Sequence, residues 1–321
     1  MQAIRMEQPG DPEVLRLQEV ADPEPEPGQI RVRVAAAGLN FIDIYHRTGV
    51  YEMAFPSGIG QEGAGVVDAV GDGVDALAVG DRVAWTGRMG SYAELLCLPA
   101  DRAVPVPEGV DLDLAAAIML QGMTAHYLVT STFALQPGHH ALVHAGAGGV
   151  GQVLIQLAKR AGARVLSTVS TAEKAELARA AGADDVIRYT EVDFAEEVRR
   201  LVPEGLEVVY ESVGRETFER SLSCLRLRGY LVLYGQSSGT VDPVAPQRLA
   251  AAGSVFLTRP RLVDHIASRD ELLWRSGELF ELIAQDALDV RVDQRFPLAE
   301  AADAHTYMEQ RRTRGKVLLV P

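Results

Sequence analysis

The sequence has few of the features that mark secreted, membrane-spanning or nucleic-acid-binding proteins. Its only two cysteines, Cys97 and Cys224, have no metal-ligand or disulfide spacing. It has no apolar run of about 18 residues, and its N-terminus lacks the apolar segment of a signal peptide. Lys and Arg number 31 against 44 acids, which argues against nucleic acid or a membrane as a partner. These absences predict a soluble, cytoplasmic protein.

The stretch from residue 141 to 171 has the pattern of a dinucleotide-binding unit. A short apolar run, Ala141 to His144, precedes Gly-Ala-Gly-Gly-Val-Gly at 146–151, and a second apolar run follows at 164–169. Strand, glycine turn, helix and strand in this order strengthen an otherwise weak motif. The apolar positions between the two runs are spaced as on one face of a helix. They are Val150, Val153, Leu154, Leu157, Ala158 and Ala161.

Glycines in such a turn let the backbone approach a pyrophosphate, and the helix N-terminus offers N–H groups and a positive dipole end. We therefore predict that this turn binds the phosphates of a dinucleotide cofactor. The simpler alternative is an ordinary strand-to-helix turn without a ligand. The predicted contacts are Gly146, Gly148, Gly149, Val150 and Gly151.

A carboxylate is missing at the end of the second strand, where NAD-binding units usually hold the ribose 2′-OH with Asp or Glu. Residues 168–171 read Thr-Val-Ser-Thr, and the first acid is Glu173, beside Lys174. Hydroxyl groups and a lysine suit a 2′-phosphate, so the sequence favours NADPH over NADH. Ser170 and Glu173 also fit the capping box of the next helix, which is a structural alternative.

The pattern changes near residue 122, and 321 residues are more than one core usually organises, so we predict two domains. Residues 1–122 contain a proline-rich loop and many glycines among short apolar runs, which indicates a β-rich domain. Residues 123–261 alternate strands and helices, as in a Rossmann domain, an α/β fold with a doubly wound parallel sheet in the order 3-2-1-4-5-6. Residues 262–321 are expected to return to the first domain.

The predicted strands of the α/β domain lie at 141–144, 164–169, 185–188, 207–210, 230–233 and 254–257. Helices are expected to begin near Gly149, Thr171, Val192, Glu216 and Pro246, with C-caps at Gly162, Gly182 and Gly229. Right-handed crossovers would place the ends of strands one and four side by side. The nicotinamide end of a cofactor should then meet the loops at 212–214 and 235–238.

The segment Gly235–Gly239 also matches G-x-S-x-G, the nucleophile elbow of α/β-hydrolases, with His305 and Asp264 as possible triad partners. An elbow must pass directly into a helix. Here Thr-Val-Asp-Pro follows, and proline disfavours a helix at the preceding residue. The hydrolase interpretation is therefore the weaker one.

The chain resembles the quinone oxidoreductase (zeta-crystallin-like) family of the medium-chain dehydrogenase/reductase superfamily over nearly its whole length. The stretches that carry the resemblance are 37–43 (AGLNFID), 60–65 (GQEGAG), 79–83 (VGDRV), 146–151, 184–189 and 212–214. The resemblance implies a chaperonin-10-like β domain, a Rossmann domain, NADPH, a quinone acceptor and a homodimer joined through the sixth Rossmann strand. Reduction of an activated C=C bond, or NADPH binding without useful turnover, are the alternatives within this resemblance.

Zinc alcohol dehydrogenases of the same superfamily hold zinc through a cysteine and a histidine at positions that here resemble Asn40 and Gln61. Amides are poor zinc ligands, so the sequence predicts chemistry without a metal. A quinone then needs orientation and hydrogen-bond donors at its carbonyl, for which Asn40, Tyr45, Tyr51 and Gln61 are candidates. Each of them also has an ordinary role in capping or packing.

The resemblance also implies which side chains contact the cofactor. Lys174 and Tyr189 would lie at the adenosine phosphate, Ser170 stands where relatives often have glycine and would contact that phosphate through its backbone, and the other expected contacts would lie elsewhere along the cofactor. Those others are Asn40, Asp43, Tyr45, Gln121, Thr124, Ser212, Gly235, Ser237, Ser238, Arg259 and Arg311.

Overall fold

A computed structural model describes all 321 residues, which divide into two compact units. Unit 1 comprises Met1–Met123 and Ile266–Pro321, and unit 2 comprises Thr124–His265. Each unit has its own cluster of buried apolar side chains. The chain therefore leaves unit 1, builds unit 2 and returns to unit 1.

The first part of unit 1 consists mainly of antiparallel strands. The strands are β1 (Gln2–Met6), β2 (Arg16–Glu19), β3 (Gln29–Leu39), β4 (Ser57–Gly58), β5 (Glu62–Val70), β6 (Arg82–Thr86), β7 (Leu95–Pro99) and β8 (Val104–Pro105). The helices are α1 (Phe41–Arg47) and α2 (Leu112–Tyr127), the latter reaching into unit 2. In β3, Ile30, Val32 and Val34 are buried and alternate with two arginines, as period-two patterning predicts.

The helix α2 continues through one π turn, Leu128–Thr132. Together these 21 residues are long and apolar enough to cross a membrane by length and composition. However, 72% of the most apolar window is buried inside the protein, which a core helix also shows.

Unit 2 is a parallel sheet flanked by helices. Its strands are β9 (His140–His144), β10 (Arg164–Val169), β11 (Asp185–Arg188), β12 (Leu206–Glu211), β13 (Leu225–Leu233) and β14 (Phe256–Thr258). Its helices are α3 (Gly149–Arg160), α4 (Ala172–Ala180), α5 (Phe194–Leu201), α6 (Phe218–Ser223), α7 (Pro246–Ala251) and α8 (Leu262–His265). The strand order is β11-β10-β9-β12-β13-β14, so the predicted doubly wound order is confirmed.

The last part of the chain completes unit 1. It comprises α9 (Arg269–Ala284), β15 (Val292–Pro297), α10 (Ala301–Glu309) and β16 (Lys316–Val320). The strand β16 pairs antiparallel with β3, and the large sheet runs β15-β16-β3-β5-β6-β8, with β7 also paired to β3. The final strand thus lies beside the strand that leads into α1.

One predicted helix cap is wrong, and the structural alternative of a capping box from Ser170 is replaced by a cap one residue later. Gly229 lies inside β13, because α6 ends at Ser223 and the strand begins before the expected position; the left-handed residue there is Arg228, at φ 59°. The N-cap of α4 is Thr171 rather than Ser170, and its hydroxyl accepts the N–H of Lys174 at 3.2 Å.

Several element boundaries also differ from the sequence predictions. The helix expected near Val192 begins two residues later, because the Asp193 side chain accepts the N–H groups of Ala195 and Glu196 and so sets the N-cap. The last strand begins at Phe256, since Ser254 has the left-handed φ of 56° and cannot continue a ladder.

Candidate functional site

The glycine turn between β9 and α3 is packed too closely for side chains. A Cβ on Gly151 would lie 2.3 Å from the carbonyl oxygen of Ala145, and one on Gly146 would lie 1.9 Å from Oγ of Ser167. The N-cap Gly148 supplies no side-chain hydrogen bond to the first turn of α3. The helix N–H groups are left for an external acceptor, so this turn fits the pyrophosphate of a dinucleotide.

The end of β10 brings together three residues predicted for the adenosine phosphate. Tyr189 donates its backbone N–H to the carbonyl of Val169 at 3.2 Å, and its side chain is 41% exposed. Ser170 follows Val169 directly, and Lys174 lies half-buried in the first turn of α4. The nearest acid in sequence, Glu173, is exposed on the same helix turn. Hydroxyls and a cation therefore surround this strand end, a composition that suits a phosphate.

The two loops predicted to face the nicotinamide are joined to each other. Ser238 donates through Oγ and through its N–H to the carbonyl of Val213, at 2.7 and 2.8 Å. The N–H of Ser237 donates to the carbonyl of Ser212 at 3.2 Å, and a Cβ on Gly235 would lie 2.7 Å from that same carbonyl. Ser212, Gly235, Ser237 and Ser238 thus lie together where β12 and β13 end.

Sequence reasoning missed Glu211, which holds one of these loops in place. Its buried carboxylate accepts the N–H groups of Val213 and Gly214 at 2.7 and 3.1 Å. It also accepts the hydroxyls of Thr217 and Ser221, at 2.8 and 2.6 Å. Burial works to raise the pKa of this carboxyl, but nearby His144 and these hydrogen bonds outweigh it and lower the pKa.

The segment at 235–239 does not form a nucleophile elbow. The chain after Gly239 stays non-helical until α7 begins at Pro246. The two possible triad partners are paired elsewhere: Asp264 with Arg261 at 2.9 Å, and His305 with Arg47 at 3.2 Å. The hydrolase alternative therefore has no structural support.

In unit 1, the turn from β3 into α1 positions Asn40 and Asp43. The Asp43 carboxylate accepts the backbone N–H of Asn40 and the hydroxyl of Tyr92, each at 2.9 Å. Asp43 has no exposed surface, and its burial raises its pKa to about 7. Its side chain therefore supports α1 from within, and a contact between Asp43 and the cofactor stays a prediction.

The Asn40 amide is committed to a buried ion pair that the sequence did not reveal. Its Nδ2 donates to Oε1 of Glu62 at 2.6 Å, and its Oδ1 accepts from Nζ of Lys316 at 2.8 Å. Lys316 also pairs directly with Glu62. Asn40 is 3% exposed, so neither amide atom remains for an acceptor carbonyl. A charged residue beside Gln61 was visible in the sequence, but nothing local pointed to Lys316.

The remaining candidates of unit 1 differ in exposure. Tyr45 and Tyr51 are half-buried, and their rings pack edge to face with centroids 5.4 Å apart. Gln61 is also half-buried. Gln121 is 9% exposed and lies on α2, two residues before unit 1 ends at Met123. Arg311, at φ 56°, is exposed.

Two remaining candidates belong to unit 2 and lie apart from the strand ends described above. Thr124, on α2, is 8% exposed. Arg259 is exposed and directly follows β14.

The residues at Asn40 and Gln61 do not fit a zinc ion. The ammonium of Lys316 already neutralises Glu62 and occupies the Asn40 oxygen, and a second cation beside it would be repelled. No group of three or more His, Cys, Asp or Glu side chains is arranged to hold a metal. Cys97 and Cys224 are both buried and unpaired.

Comparison with known proteins places this geometry in a family. Residues 26–108 match the alcohol dehydrogenase GroES-like domain, and residues 181–319 match the zinc-binding dehydrogenase family. A quinone oxidoreductase of Pseudomonas aeruginosa is 45% identical over 97% of each chain. A 2-haloacrylate reductase of a Burkholderia species is 42% identical over 97% of this chain and 96% of its own.

The same relation holds in three dimensions. The solved structure of Escherichia coli quinone oxidoreductase complexed with NADPH superposes with a TM-score of 0.98 at 42% identity, covering all of both chains. The chain therefore belongs to the quinone oxidoreductase family of the medium-chain dehydrogenase/reductase superfamily.

Proposed function

We propose that this protein reduces quinones with NADPH and needs no metal ion to do so. The observation that carries the proposal is the identity of 42–45%, over nearly the full chain, to quinone oxidoreductases, one of them solved with NADPH. Bound NADPH would supply the hydride. The chain's own residues would bind it, orient the acceptor and donate hydrogen bonds to its carbonyl.

The cofactor would lie along the carboxyl edge of the unit 2 sheet. The first turn of α3 would bind the pyrophosphate through its N–H groups, and Lys174 would pair with the 2′-phosphate beside Ser170 and Tyr189. The joined loops at 212–214 and 235–238 would hold the nicotinamide end, kept in shape by Glu211. Asn40, Tyr45, Gln121, Thr124, Arg259 and Arg311 remain proposed neighbours of the cofactor.

At the acceptor, the half-buried groups of unit 1 are the better donors. Tyr45, Tyr51 and Gln61 keep partly exposed side chains, whereas Asn40 is bonded to Glu62 and Lys316. Tyrosine hydroxyls and a glutamine amide can donate to an oxygen that gains charge as it is reduced. Asn40 would act by shaping the site rather than by contacting the acceptor oxygen.

The protein is also proposed to be a homodimer joined through β14. This edge strand has one paired neighbour, β13, and leaves its other side open. Phe256 is 49% exposed on this strand and Leu227 is 72% exposed on β13. An open apolar edge invites pairing, and a two-fold axis would close it. Sedimentation at micromolar concentration should give twice the chain mass of 34.6 kDa, and a monomeric mass would contradict this proposal.

Reduction of activated C=C bonds is the second candidate. It is favoured by the 2-haloacrylate reductase that is 42% identical over almost the whole chain. The same hydride geometry would serve both substrates, so the fold cannot separate them.

The deciding experiment is an acceptor panel of quinones, enals, 2-haloacrylate and esters, with NADPH and NADH, followed by the loss of nicotinamide absorbance. We expect the highest kcat/KM with a quinone and NADPH. Gly151→Ala should abolish most turnover, because a Cβ there would displace α3. Gly109→Ala is the matched control, since a Cβ at that glycine meets nothing within 4 Å. Higher kcat/KM for 2-haloacrylate would favour the second candidate.

A further inference from the structure

We propose that Glu62 and Lys316 form a positioning pair that fixes Gln61 and Gln121, and through them the recognition of the acceptor. This inference rests on the proposed function. It gives the pair a role in the kinetics of the acceptor that is separable from its role in folding.

The geometry of Glu62 joins two distant segments of unit 1. Its Oε1 contacts Asn40 and Lys316, while its Oε2 accepts the backbone N–H of Leu120 at 2.6 Å. Gln61 precedes Glu62, and Gln121 follows Leu120. One carboxylate therefore fixes the backbone next to both glutamines, one at the start of β5 and one on α2.

Lys316 makes this arrangement possible. Glu62 and Lys316 are 0% and 1% exposed, so each charge has lost its water and needs the other. Burial lowers the pKa of Lys316, and Glu62 acts against that shift. The pair fits only because residue 38 is glycine: a Cβ there would lie 2.4 Å from Oε1 of Glu62 and 2.7 Å from Cε of Lys316.

Stability alone does not require these charges. Replacing a buried ion pair by apolar side chains of similar volume is often neutral or stabilising. What an apolar pair cannot supply is an acceptor for the N–H of Leu120 or an orientation for the Asn40 amide. The specific contribution of Glu62 is therefore geometric, which is expected of a residue that positions others.

Two neutral double variants separate the roles. Glu62→Gln with Lys316→Met removes both charges but keeps a side-chain oxygen that can accept from Leu120. Glu62→Met with Lys316→Met removes the charges and the acceptor. We expect a lower unfolding midpoint for the Met/Met variant, because the N–H of Leu120 and the Asn40 amide lose a hydrogen-bond partner in it. Under conditions in which both variants are folded, only the Met/Met variant should lose acceptor kcat/KM, by about 10- to 100-fold.

Hydrogen exchange gives a second readout that does not depend on turnover. The amide of Leu120 should exchange slowly in the wild type and in the Gln/Met variant, and fast in the Met/Met variant. The control is Arg31→Met with Asp68→Asn, which removes a partly buried pair at 2.8 Å between β3 and β5. This control should leave the acceptor kcat/KM and the exchange of Leu120 as in the wild type.

Each outcome decides between the two roles. Equal acceptor kcat/KM in both neutral doubles, or unchanged exchange at Leu120 in the Met/Met variant, would overturn the positioning role and leave the pair purely structural. If the wild type oxidises NADPH with no acceptor of the panel, the proposed function fails instead. The hydrogen exchange rate of the Leu120 amide is then the remaining test of the pair.

Discussion

Two buried carboxylates, Glu62 in unit 1 and Glu211 in unit 2, are held in opposite ways. Glu211 of unit 2 is bonded to groups two, three, six and ten residues further along the chain. Glu62 of unit 1 is bonded to groups 22, 58 and 254 residues away, including the ammonium of Lys316. The first mainly caps its own loop, with one distant neighbour in His144 at 3.5 Å, and the second joins strands and a helix that meet only in the folded chain.

This difference separates the two halves of the proposed chemistry. The proposed cofactor groups of unit 2 lie at strand ends, where the loops are fixed by hydrogen bonds within one loop or between neighbouring loops about 20–25 residues apart. The acceptor groups of unit 1 depend on a long-range ion pair, so their positions follow from the whole fold of that unit. Substitutions should therefore act locally in unit 2 and more widely in unit 1.

The largest effect is expected from Glu211→Ala. It removes the acceptor of two backbone N–H groups and two hydroxyls, all buried or partly buried, and it opens a cavity. We expect the free energy of unfolding to fall by about 3–5 kcal/mol, measured by urea denaturation. A loss of this size would show that the hydrogen bonds of Glu211 stabilise the fold as much as a buried ion pair does.

Glu216→Ala is the control for that measurement. Glu216 is exposed five residues away, so its loss should change the unfolding free energy by less than about 0.5 kcal/mol. If Glu211→Ala is no more harmful than this control, the four hydrogen bonds contribute little and the comparison fails.

The local half of the molecule could be predicted from the sequence because its signals are local. Glycine spacing, helical periodicity and the missing acid after β10 all lie within some thirty residues and predict the turn and the cofactor, while the alternation of strands and helices over residues 123–261 predicts the strand order. Errors there were also local: Gly229 was assigned to a cap because a strand that starts early looks like a loop.

The long-range half could not be predicted in the same way. No pattern links Glu62 with Lys316, since their contact depends on β16 pairing beside β3. The burial of Asp43 could not be predicted for the same reason. An acid in the first turn of a helix is usually exposed, but Asp43 is fully buried and accepts the hydroxyl of Tyr92, which is 49 residues away in the sequence. The fold of unit 1 therefore had to be known before its polar groups could be interpreted.

The next largest effect is expected on the choice between NADPH and NADH. It tests whether the groups at the end of β10 bind the 2′-phosphate without help from the rest of the fold. Lys174→Ala removes a cation from the first turn of α4, beside Ser170. A charge-assisted hydrogen bond contributes about 1.5–3 kcal/mol, so NADPH affinity should fall roughly 10- to 100-fold. NADH lacks the 2′-phosphate and should bind as before.

Dissociation constants for both cofactors check this prediction. Arg179→Ala, on the exposed side of the same helix and paired with Glu176, serves as the control and should change neither constant. Equal losses for NADPH and NADH, or none for NADPH, would show that Lys174 is an ordinary surface lysine.

A smaller effect is expected from the buried polar groups of unit 1 as pH falls. Burial, and then the adjacent Arg47, lower the pKa of His305 from 6.5 to about 3. Between these values the unfolded chain binds a proton that the folded protein does not, so stability is lost as pH falls below 6.5. At about pH 5 the His305 side chain should have lowered the free energy of unfolding by roughly 2 kcal/mol.

His305→Gln should make the free energy of unfolding fall less steeply with pH, as followed by urea denaturation from about pH 7 to 4. Asp43 acts with the opposite sign: its pKa rises from 3.8 to about 7, so it favours the folded state below that range and loses this contribution as pH rises through 7. Arg47 and Tyr92 contact His305, and Glu309 pairs with Arg47; all three stay unchanged in the variant. An unaltered slope would mean that His305 titrates normally.

The smallest effect is expected at the acceptor donors. Tyr45→Phe and Tyr51→Phe each remove one hydroxyl but keep the edge-to-face ring packing at 5.4 Å, so the fold should not change. A neutral hydrogen bond contributes about 0.5–1.5 kcal/mol, which corresponds to a decrease in quinone kcat/KM of roughly 2- to 13-fold for whichever hydroxyl donates. The Tyr307 hydroxyl donates to Asp293 at 3.0 Å, so Tyr307→Phe is the matched loss of a hydroxyl elsewhere in unit 1 and should leave kcat/KM as it is. If neither Tyr45→Phe nor Tyr51→Phe lowers kcat/KM, the donor is Gln61 or water. Acceptor recognition would then depend mainly on the positioning pair.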